Sequence, residues 1–171
     1  MEKGIIIIYT GNGKGKTSAA LGAVVRTIGS GGKVAYLQFM KGNVESGERK
    51  FFASIAAVDV YTFGVGWYKN QDEKEKQILK AKDGLQKALM LLKSKEYDLI
   101  VLDEINYVLD YELLQPEDLI ALIEHREKTN LILTGRNAKK EIVEIADTVS
   151  EIKEIKHAFR AGIPALKGID F

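Results

Sequence analysis

Short apolar runs recur along the chain, separated by longer stretches in which apolar residues follow a helical period. Five runs are rich in β-branched or aromatic residues and bounded by glycine or polar residues, which predicts strands. They cover residues 5–9, 34–39, 58–62, 98–103 and 130–134. The first and fourth runs are apolar almost throughout, as in the central strands of a parallel sheet covered on both faces. The pattern predicts an α/β fold.

Helical periodicity is clearest in residues 18–28 and 72–95. In the second stretch the apolar residues lie close to one stripe, which predicts an amphipathic helix packed on the sheet. That stripe is Ile78, Leu85, Leu89 and Leu92. Three glycines, at positions 29, 31 and 32, follow the first helical stretch and are expected to end it.

Length and charge limit the classes of protein that the chain can represent. A chain of 171 residues with 46% hydrophobic content is long enough for one buried core, so we expect a single domain over residues 1–171. The 25 basic and 24 acidic side chains nearly cancel. Because no overall field attracts polyanions, nucleic acid and anionic membranes are disfavoured as partners.

The content of cysteine and histidine narrows the chemistry further. Without cysteine there is no disulfide, no thiolate nucleophile and no cysteine-ligated metal, and only His125 and His157 could supply imidazole. The first predicted strand begins at Ile5, and no apolar run approaches the length of a membrane span, so we expect neither a secretory leader nor an anchor. A cytoplasmic location is the simplest interpretation.

A glycine- and lysine-rich segment carries the strongest chemical signal. Thr10-Gly11-Asn12-Gly13-Lys14-Gly15-Lys16-Thr17 follows the first predicted strand directly and precedes a helical stretch that begins at Ser18. In that context glycines let backbone N–H groups surround phosphate oxygens, and the helix dipole favours anions at the same place. We therefore predict nucleotide binding, with Lys16 on the terminal phosphates and Thr17 on Mg²⁺.

The loop departs from the usual phosphate-loop pattern at one end. Thr10 stands where that pattern has glycine, and Lys14 adds a cation inside the loop. Together with the α/β pattern, the loop predicts a RecA-like phosphate-loop fold, in which helices flank a mainly parallel central sheet.

Two acids end the fourth predicted strand. Asp103 and Glu104 follow an apolar run, which is how nucleotide-binding sheets bring a carboxylate to Mg²⁺. For Glu104 two roles remain open from the residues alone: a base or water-orienting group of an ATPase, or a Mg²⁺ ligand of a transferase.

Other polar residues follow strands at the same predicted edge of the sheet. Arg136 follows the fifth strand after Gly135 and could bind phosphate, or could equally be a surface arginine after a turn. Gln38, Lys41 and Glu48 follow the second strand, and the same two interpretations apply to them.

Six motifs follow one another along the chain in an order and spacing that are similar to those of one family. They are Gly11-Asn12-Gly13-Lys14-Gly15-Lys16-Thr17, Gln38-Phe39-Met40-Lys41-Gly42, Val101-Leu102-Asp103-Glu104, Thr134-Gly135-Arg136, Ala146-Asp147 and Lys156-His157-Ala158-Phe159. From about Gly4 to Phe171 the chain resembles the phosphate-loop ATP:corrinoid adenosyltransferases. The resemblance implies transfer of the 5′-deoxyadenosyl group of ATP to Co(I) of a reduced corrinoid, with release of triphosphate, in adenosylcobalamin synthesis or salvage.

The resemblance also implies roles for individual residues. The residues that would bind ATP are Gly11, Asn12, Gly13, Lys14, Gly15, Lys16, Thr17, Ser18 and Arg136. Lys16, Glu104 and Arg136 would be catalytic, Thr17 and Glu104 would hold Mg²⁺, and the triphosphate would lie in the loop in reverse of the usual direction. Because Co(I) is itself the nucleophile, no side-chain nucleophile is required.

Corrinoid contacts and partners are implied in the same way. Val65 and Trp67 would cover one corrinoid face, with Val65 in place of a frequent aromatic residue, and Leu166 replaces a frequent glutamine. Because the chain begins almost at the first strand, we expect it to lack the amino-terminal extension that some relatives fold over a partner's site. The family further implies a homodimer and a reduced flavoprotein as electron donor. An ATPase that drives a partner and a non-enzymatic nucleotide sensor are the alternative functions.

Overall fold

The computed structural model describes residues 3–42, 46–66 and 70–170. In these ranges the strands are β1 Ile6–Thr10, β2 Val34–Phe39, β3 Val58–Phe63, β4 Leu99–Asp103, β5 Asn130–Thr134 and β6 Thr148–Glu151. They form one sheet in the order β3-β2-β4-β5-β1-β6, and each of its neighbouring pairs is parallel. The five predicted strands are confirmed, with ends that shift by at most one residue.

Helices cover both faces of this sheet. Their bounds are α1 Lys16–Gly29, α2 Gly47–Phe52, α3 Gln71–Ser94, α4 Ile105–Asp110, α5 Pro116–Glu124 and α6 Lys140–Ile145, and a 3-10 helix spans Ala158–Ala161. Buried side chains of α1 and α2 pack on one face, whereas α3, α4, α5 and α6 pack on the other. Within the described ranges, no helix is both long and apolar enough to cross a membrane.

The core lies in two layers because successive strand residues point to opposite faces. On β2, Ala35, Leu37 and Phe39 belong to the larger layer, while Val34 and Tyr36 belong to the layer under α1. All six residues of β2 and all five of β4 are buried. These two strands therefore form the apolar centre of the sheet. The residues that follow their carboxyl ends lie at one edge of the sheet, called the functional edge below.

The predicted stripe of α3 faces the core, but smaller residues beside it are buried more deeply. Ile78, Leu85 and Leu89 are only partly buried against the core. The buried positions are Gln77, Ala81, Gly84, Ala88, Leu91 and Leu92, of which Leu92 belongs to the predicted stripe. Small residues are required there because the helix lies very close to the sheet: a Cβ on Gly84 would lie 2.5 Å from the ring of Phe39. Periodicity of large residues alone therefore finds the core-facing side of α3 but not the small residues that lie closest to the sheet.

Strand β6 is not predicted from the sequence. Its four residues, Thr-Val-Ser-Glu, are all exposed, so they carry neither an apolar run nor a buried alternation. It pairs with β1 from Ile7↔Thr148 to Thr10↔Glu151, which makes β1 an internal strand. Its position also fixes the course of the chain after Glu151, beside the phosphate loop.

Candidate functional site

Parallel strands bring the predicted site residues to one edge of the sheet, because their carboxyl ends point the same way. The glycine-rich loop follows β1, Lys41 follows β2, Glu104 follows β4 and Arg136 follows β5. In the sheet order, β4 and β5 lie between β2 and β1. The residues that follow these four strands therefore face one another across a single edge.

The loop between β1 and α1 has the backbone that a phosphate site needs. Gly11 and Gly15 adopt left-handed φ angles of 94° and 118°, which residues with a side chain rarely adopt. Lys16 turns back over the loop, and its Nζ donates to the carbonyl oxygens of Gly11 and Gly13 at 2.7 Å each. Burial and then the nearby Arg136 guanidinium lower the pKa of Lys16, with a smaller opposing effect from Glu104.

The chain after β6 supports this loop from the outside. The Gly13 N–H donates to the carbonyl oxygen of Ile152 at 2.7 Å. A Cβ on Gly11 or Gly13 would lie 2.5 Å and 2.7 Å from backbone oxygens of Ile152 and Lys153, respectively. These two glycines are therefore required for close approach of the later chain as well as for the loop itself.

A buried network of hydroxyl groups ties Asp103 to the loop. The hydroxyls of Thr17 and Thr134 both donate to Asp103 Oδ1, at 3.0 and 2.7 Å. Asp103 is fully buried, and its other oxygen, Oδ2, has no hydrogen-bond partner within the described part of the chain. A buried carboxylate oxygen that accepts no hydrogen bond is well suited to face a cation or its bound water.

Glu104 is held in an unusual backbone conformation directly after this carboxylate. Its φ of 67° is left-handed, and its N–H donates to the Thr134 hydroxyl at 2.9 Å. Burial and then the Asp103 charge raise the pKa of Glu104 to about 7, although Lys41 and Lys16 partly oppose this. Strain in a non-glycine residue of this kind is typical of functional positions.

A second lysine lies at the same edge, after β2. Lys41 Nζ lies 3.1 Å from Glu48 Oε1 and 3.6 Å from Asp103 Oδ2. Glu48 Oε1 also accepts from Gln38 Nε2 at 3.3 Å. Burial by itself would lower the pKa of Lys41, but the Asp103, Glu48 and Glu104 carboxylates outweigh it and raise that pKa. The three residues left ambiguous by the sequence thus form one ion-pair cluster with Asp103.

Arg136 leaves β5 through a constrained glycine. Gly135 has φ 128°, and a Cβ there would lie 2.9 Å from Asn106 Cβ and 3.0 Å from the Tyr107 nitrogen. Arg136 itself is exposed and lines a cavity of about 540 Å³ together with His157, Arg160 and Asp170 of the carboxyl-terminal segment. An exposed guanidinium near Lys16 is available to an anionic ligand.

The remaining loop residues differ in exposure. Asn12 and Ser18 are exposed, so their side chains are open to a ligand. Lys14 is half exposed and forms an ion pair with Asp170. The two lysines of the loop are therefore held differently: Lys14 by a carboxylate, and Lys16 by backbone carbonyl oxygens.

The residues predicted to contact a corrinoid lie partly outside the described ranges. Val65 is 43% exposed, and its N–H donates to Gln77 Oε1 at 2.8 Å. The adjacent Gly64 packs on the turn after β2: a Cβ on it would lie 2.8–3.0 Å from backbone atoms of Met40 and Lys41. Trp67 is outside the described residues. The segment after β3 therefore lies next to Lys41 at the functional edge.

The sequence predicts metal ligands at Thr17 and Glu104, whereas Thr17 bonds to Asp103 in the structure. The sequence gives Thr134 no role beyond its place at the start of the Thr134-Gly135-Arg136 motif. The pairing of Leu102 with Leu133 is what brings Asp103 and Thr134 side by side. Across the described ranges, no three acidic or histidine side chains gather to form a metal cluster.

The family model for ATP:corrinoid adenosyltransferase BtuR/CobO/CobP matches residues 2–171, which is nearly the whole chain. This chain belongs to that family. Curated relatives agree. The corrinoid adenosyltransferase of Escherichia coli (strain K12) is 39% identical over 171 residues, covering 99% of this chain and 87% of the relative. That of Pseudomonas aeruginosa is 38% identical, covering 99% and 85%. Corrinoid adenosyltransferase CobA of Salmonella typhimurium is 37% identical, covering 99% and 87%.

A solved structure supports the fold. The KaiC-like protein PH0186 from Pyrococcus horikoshii OT3 has a TM-score of 0.58 at 15% identity, covering 91% of this chain and 76% of that chain. At this identity the likeness concerns architecture alone. It agrees with the parallel sheet described above, and the predicted RecA-like phosphate-loop fold is confirmed.

Proposed function

We propose that this chain transfers the 5′-deoxyadenosyl group of ATP to the Co(I) centre of a reduced corrinoid and releases triphosphate. The observation that carries the proposal is the match to the family over residues 2–171, together with a phosphate loop whose Lys16 ammonium rests on neutral carbonyl oxygens. The relatives' names specify corrinoid and adenosyl transfer. ATP is the adenosyl donor that the loop fits.

The reaction places few demands on protein side chains. The electron pair of Co(I) forms the cobalt–carbon bond to C5′, the C5′–oxygen bond breaks, and its electron pair leaves with triphosphate. The protein must orient C5′ toward cobalt, stabilise charge on the leaving group and exclude water. An absence of cysteine and a near-absence of histidine are compatible with that chemistry.

The cations around the loop would stabilise the negative charge of the leaving triphosphate. We propose that Lys16, Arg136 and the loop amides other than that of Gly13, which donates to Ile152, bind the phosphates, and that Lys14 joins them when it leaves Asp170. We propose that triphosphate lies in the loop in reverse of the usual direction. That orientation exposes C5′, rather than the terminal phosphorus, to the nucleophile.

The donor set at the end of β4 fits Mg²⁺. We propose that Thr17 and Glu104 hold the ion, with Asp103 Oδ2 beside them as a further oxygen without a hydrogen bond among the described residues. When bound, Mg²⁺ would neutralise charge on the triphosphate. Glu104 must lose its proton to take this role, so the raised pKa makes metal binding dependent on pH.

The corrinoid is proposed to bind next to the segment that follows β3. Val65 is exposed there, and Trp67 follows it in the sequence. We propose that both residues cover one corrinoid face and displace the lower cobalt ligand, which makes Co(II) easier to reduce. A valine offers less contact area than an aromatic residue, so Trp67 would provide most of this surface.

The setting of the reaction is proposed on the basis of family membership. We propose that residues 1–171 act as one domain, that the enzyme is a cytoplasmic homodimer, and that a reduced flavoprotein supplies electrons. The product would serve adenosylcobalamin synthesis or salvage.

An anaerobic assay tests the proposal directly. The protein is incubated with ATP, Mg²⁺ and chemically reduced cob(I)alamin, and the cobalt spectrum, the light sensitivity of the product and the phosphate products are followed. A photolabile alkylcobalamin with stoichiometric triphosphate is expected. ADP and phosphate with unchanged corrinoid would identify an ATPase, and ATP binding without turnover would identify a nucleotide sensor.

One variant separates the corrinoid site from the ATP site. Trp67→Ala should bind ATP as the wild type does but lose most adenosylation, because the corrinoid face is no longer covered. Calorimetry measures the ATP affinity and the spectral assay measures the transfer. Full activity in this variant would instead place Trp67 in the core.

A further inference from the structure

The lysine after β2 lies between acids at the edge where Mg²⁺ is proposed to bind. Its Nζ is 3.1 Å from Glu48 Oε1 and 3.6 Å from Asp103 Oδ2, and Asp103 is fully buried. The other oxygen of Asp103 accepts from the Thr17 hydroxyl at 3.0 Å. Lys41 thus approaches the metal-site carboxylate from the side that its hydroxyl partners leave open.

The backbone fixes this lysine in place. Met40, directly before it, adopts a left-handed φ of 60° and is buried, with its sulfur 3.3 Å from Gln77 Nε2. Gly64 packs against the same turn, so close that a Cβ would lie 2.9 Å from the Lys41 oxygen. A strained, tightly packed turn persists only where the surroundings hold it. The backbone position from which the Lys41 side chain reaches Glu48 and Asp103 is therefore built into the fold.

Two buried oxygen atoms in this ion-pair cluster lack hydrogen-bond partners. Gln38 pairs with Asp103 in the register of β2 and β4, and both side chains are fully buried. Neither Gln38 Oε1 nor Asp103 Oδ2 accepts a hydrogen bond of ordinary geometry from a described residue, although the buried Tyr36 hydroxyl lies close to both side chains. A buried site with spare acceptor oxygens and one cation is suited to exchange that cation for another.

We propose that Lys41 is a positioning residue that occupies the open side of Asp103 until ATP binds, so that Mg²⁺ enters the site only together with the nucleotide. The inference rests on the proposed Mg²⁺ site. An ammonium group and a divalent ion repel each other strongly at such short range. The triphosphate changes this balance, because its negative charge attracts the metal and offers the ammonium group a new partner.

Glu48 has a distinct part in this exchange. It bonds to both Lys41 and Gln38, so it can retain the ammonium group after the metal displaces it from Asp103. Removing the charge of Glu48 should leave Asp103 as the nearest acid to Lys41. The lysine would then compete with the metal even when ATP is present.

Metal binding, rather than activity, provides the test. Equilibrium dialysis with Mn²⁺ in place of Mg²⁺ measures the ion bound per chain without ATP and with ATP. The wild type should bind Mn²⁺ weakly alone and tightly with ATP. Lys41→Met should bind Mn²⁺ alone roughly tenfold more tightly than the wild type, because one close positive charge is gone. A merely structural lysine would not produce such a gain.

Three further variants serve as controls for the Mn²⁺-binding experiment. Lys80→Met removes an exposed lysine whose partner is Asp83, and should behave as the wild type. Lys41→Arg keeps the charge and should restore the dependence on ATP. If Lys41→Met fails to fold by circular dichroism, Lys41→Gln replaces it, since its amide can donate to the buried Asp103.

A double-mutant cycle tests the part of Glu48. Glu48→Gln should weaken Mn²⁺ binding in the presence of ATP about fivefold in the wild-type background and less than twofold in Lys41→Met. Equal losses in both backgrounds would overturn the role of Glu48 as the holder of the lysine.

The experiment distinguishes failure of the inference about Lys41 from failure of the proposed Mg²⁺ site. Equal Mn²⁺ affinity of the wild type and Lys41→Met without ATP would overturn the inference about Lys41 and leave the metal site intact. No bound Mn²⁺ in any variant, even with ATP, would overturn the metal site and the inference together.

Discussion

Two lysines face the same edge of the sheet but are held by opposite kinds of partner. Lys16, after β1, donates to two backbone carbonyl oxygens at 2.7 Å. Lys41, after β2, lies against the carboxylates of Glu48 and Asp103. Their pKa values shift in opposite directions: burial and Arg136 lower that of Lys16, whereas the acids overcome burial and raise that of Lys41.

The difference separates two uses of a positive charge. A cation whose hydrogen bonds go only to neutral carbonyl oxygens keeps most of its attraction for an incoming anion, which suits a ligand of triphosphate. A cation neutralised by acids attracts external anions less. Its main effect is on the charge and position of those acids. The same residue type therefore binds the substrate at one strand end and organises the site at the next.

The largest expected effect is at the first lysine. Lys16→Ala should raise the dissociation constant for ATP about a thousandfold, because two charge-assisted hydrogen bonds together contribute roughly 4 kcal/mol. Isothermal calorimetry measures the change. Lys80→Ala, on the exposed face of α3, is the matched control and should bind ATP normally. Wild-type affinity in Lys16→Ala would remove the contrast between the two lysines.

The next effect concerns Glu104, the acid that interacts with both lysines. Its pKa is raised to about 7 by burial and Asp103, so between pH 4.5 and 7 the folded chain binds this proton more tightly than the unfolded chain. The free energy of unfolding should therefore fall as the pH rises through this window, by up to about 3 kcal/mol. Glu104→Gln should lack this fall.

Urea unfolding at several pH values checks this expectation. Glu117→Gln, in the first turn of α5, should retain the wild-type dependence on pH. Parallel curves for the wild type and Glu104→Gln would show that this carboxyl group binds its proton equally well in the folded and unfolded chains, and that burial and Asp103 do not raise its pKa.

The smallest effect is expected at Lys14, the third lysine of the site. Its partner Asp170 is on the surface, and exposed ion pairs contribute about 0–1 kcal/mol. Asp170→Asn should change the free energy of unfolding by less than that, but should tighten ATP binding roughly two- to threefold, since Lys14 is no longer paired. Glu127→Gln, which breaks the exposed pair with Lys95, is the control. Unchanged ATP affinity in Asp170→Asn would show that Lys14 already contacts ATP in the wild type.

The fold is predictable wherever burial leaves a local pattern. Strands β2 and β4 are buried along their whole length, so their apolar runs are visible in the sequence. Strand β6 is exposed at all four residues and exists because β1 offers it an edge, which no local pattern records. On α3, close packing selects Gly84 and Ala88, which large-residue periodicity overlooks.

The site is predictable to the extent that its parts are contiguous in sequence. The loop with Lys16 and Thr17 carries its own context, and the acids after β4 stand out as a pair. Thr134 and Lys41 are far from Asp103 in the sequence. Strand register brings Thr134 to Asp103, and the turn after β2 brings Lys41 to it. Which of the two acids bonds to Thr17 likewise depends on tertiary geometry.

The pairing of β1 has a consequence for how the chain is made. Ile6 pairs with Leu131, and Ile7 pairs with Thr148, so the strand that carries the phosphate loop finds its partners only after most of the chain has followed it. Contacts of such separation form late, because closing long loops is entropically costly. On the ribosome, β1 would therefore wait unpaired while β2, β3 and β4 assemble, and nucleotide could stabilise the newly made protein only at the last step.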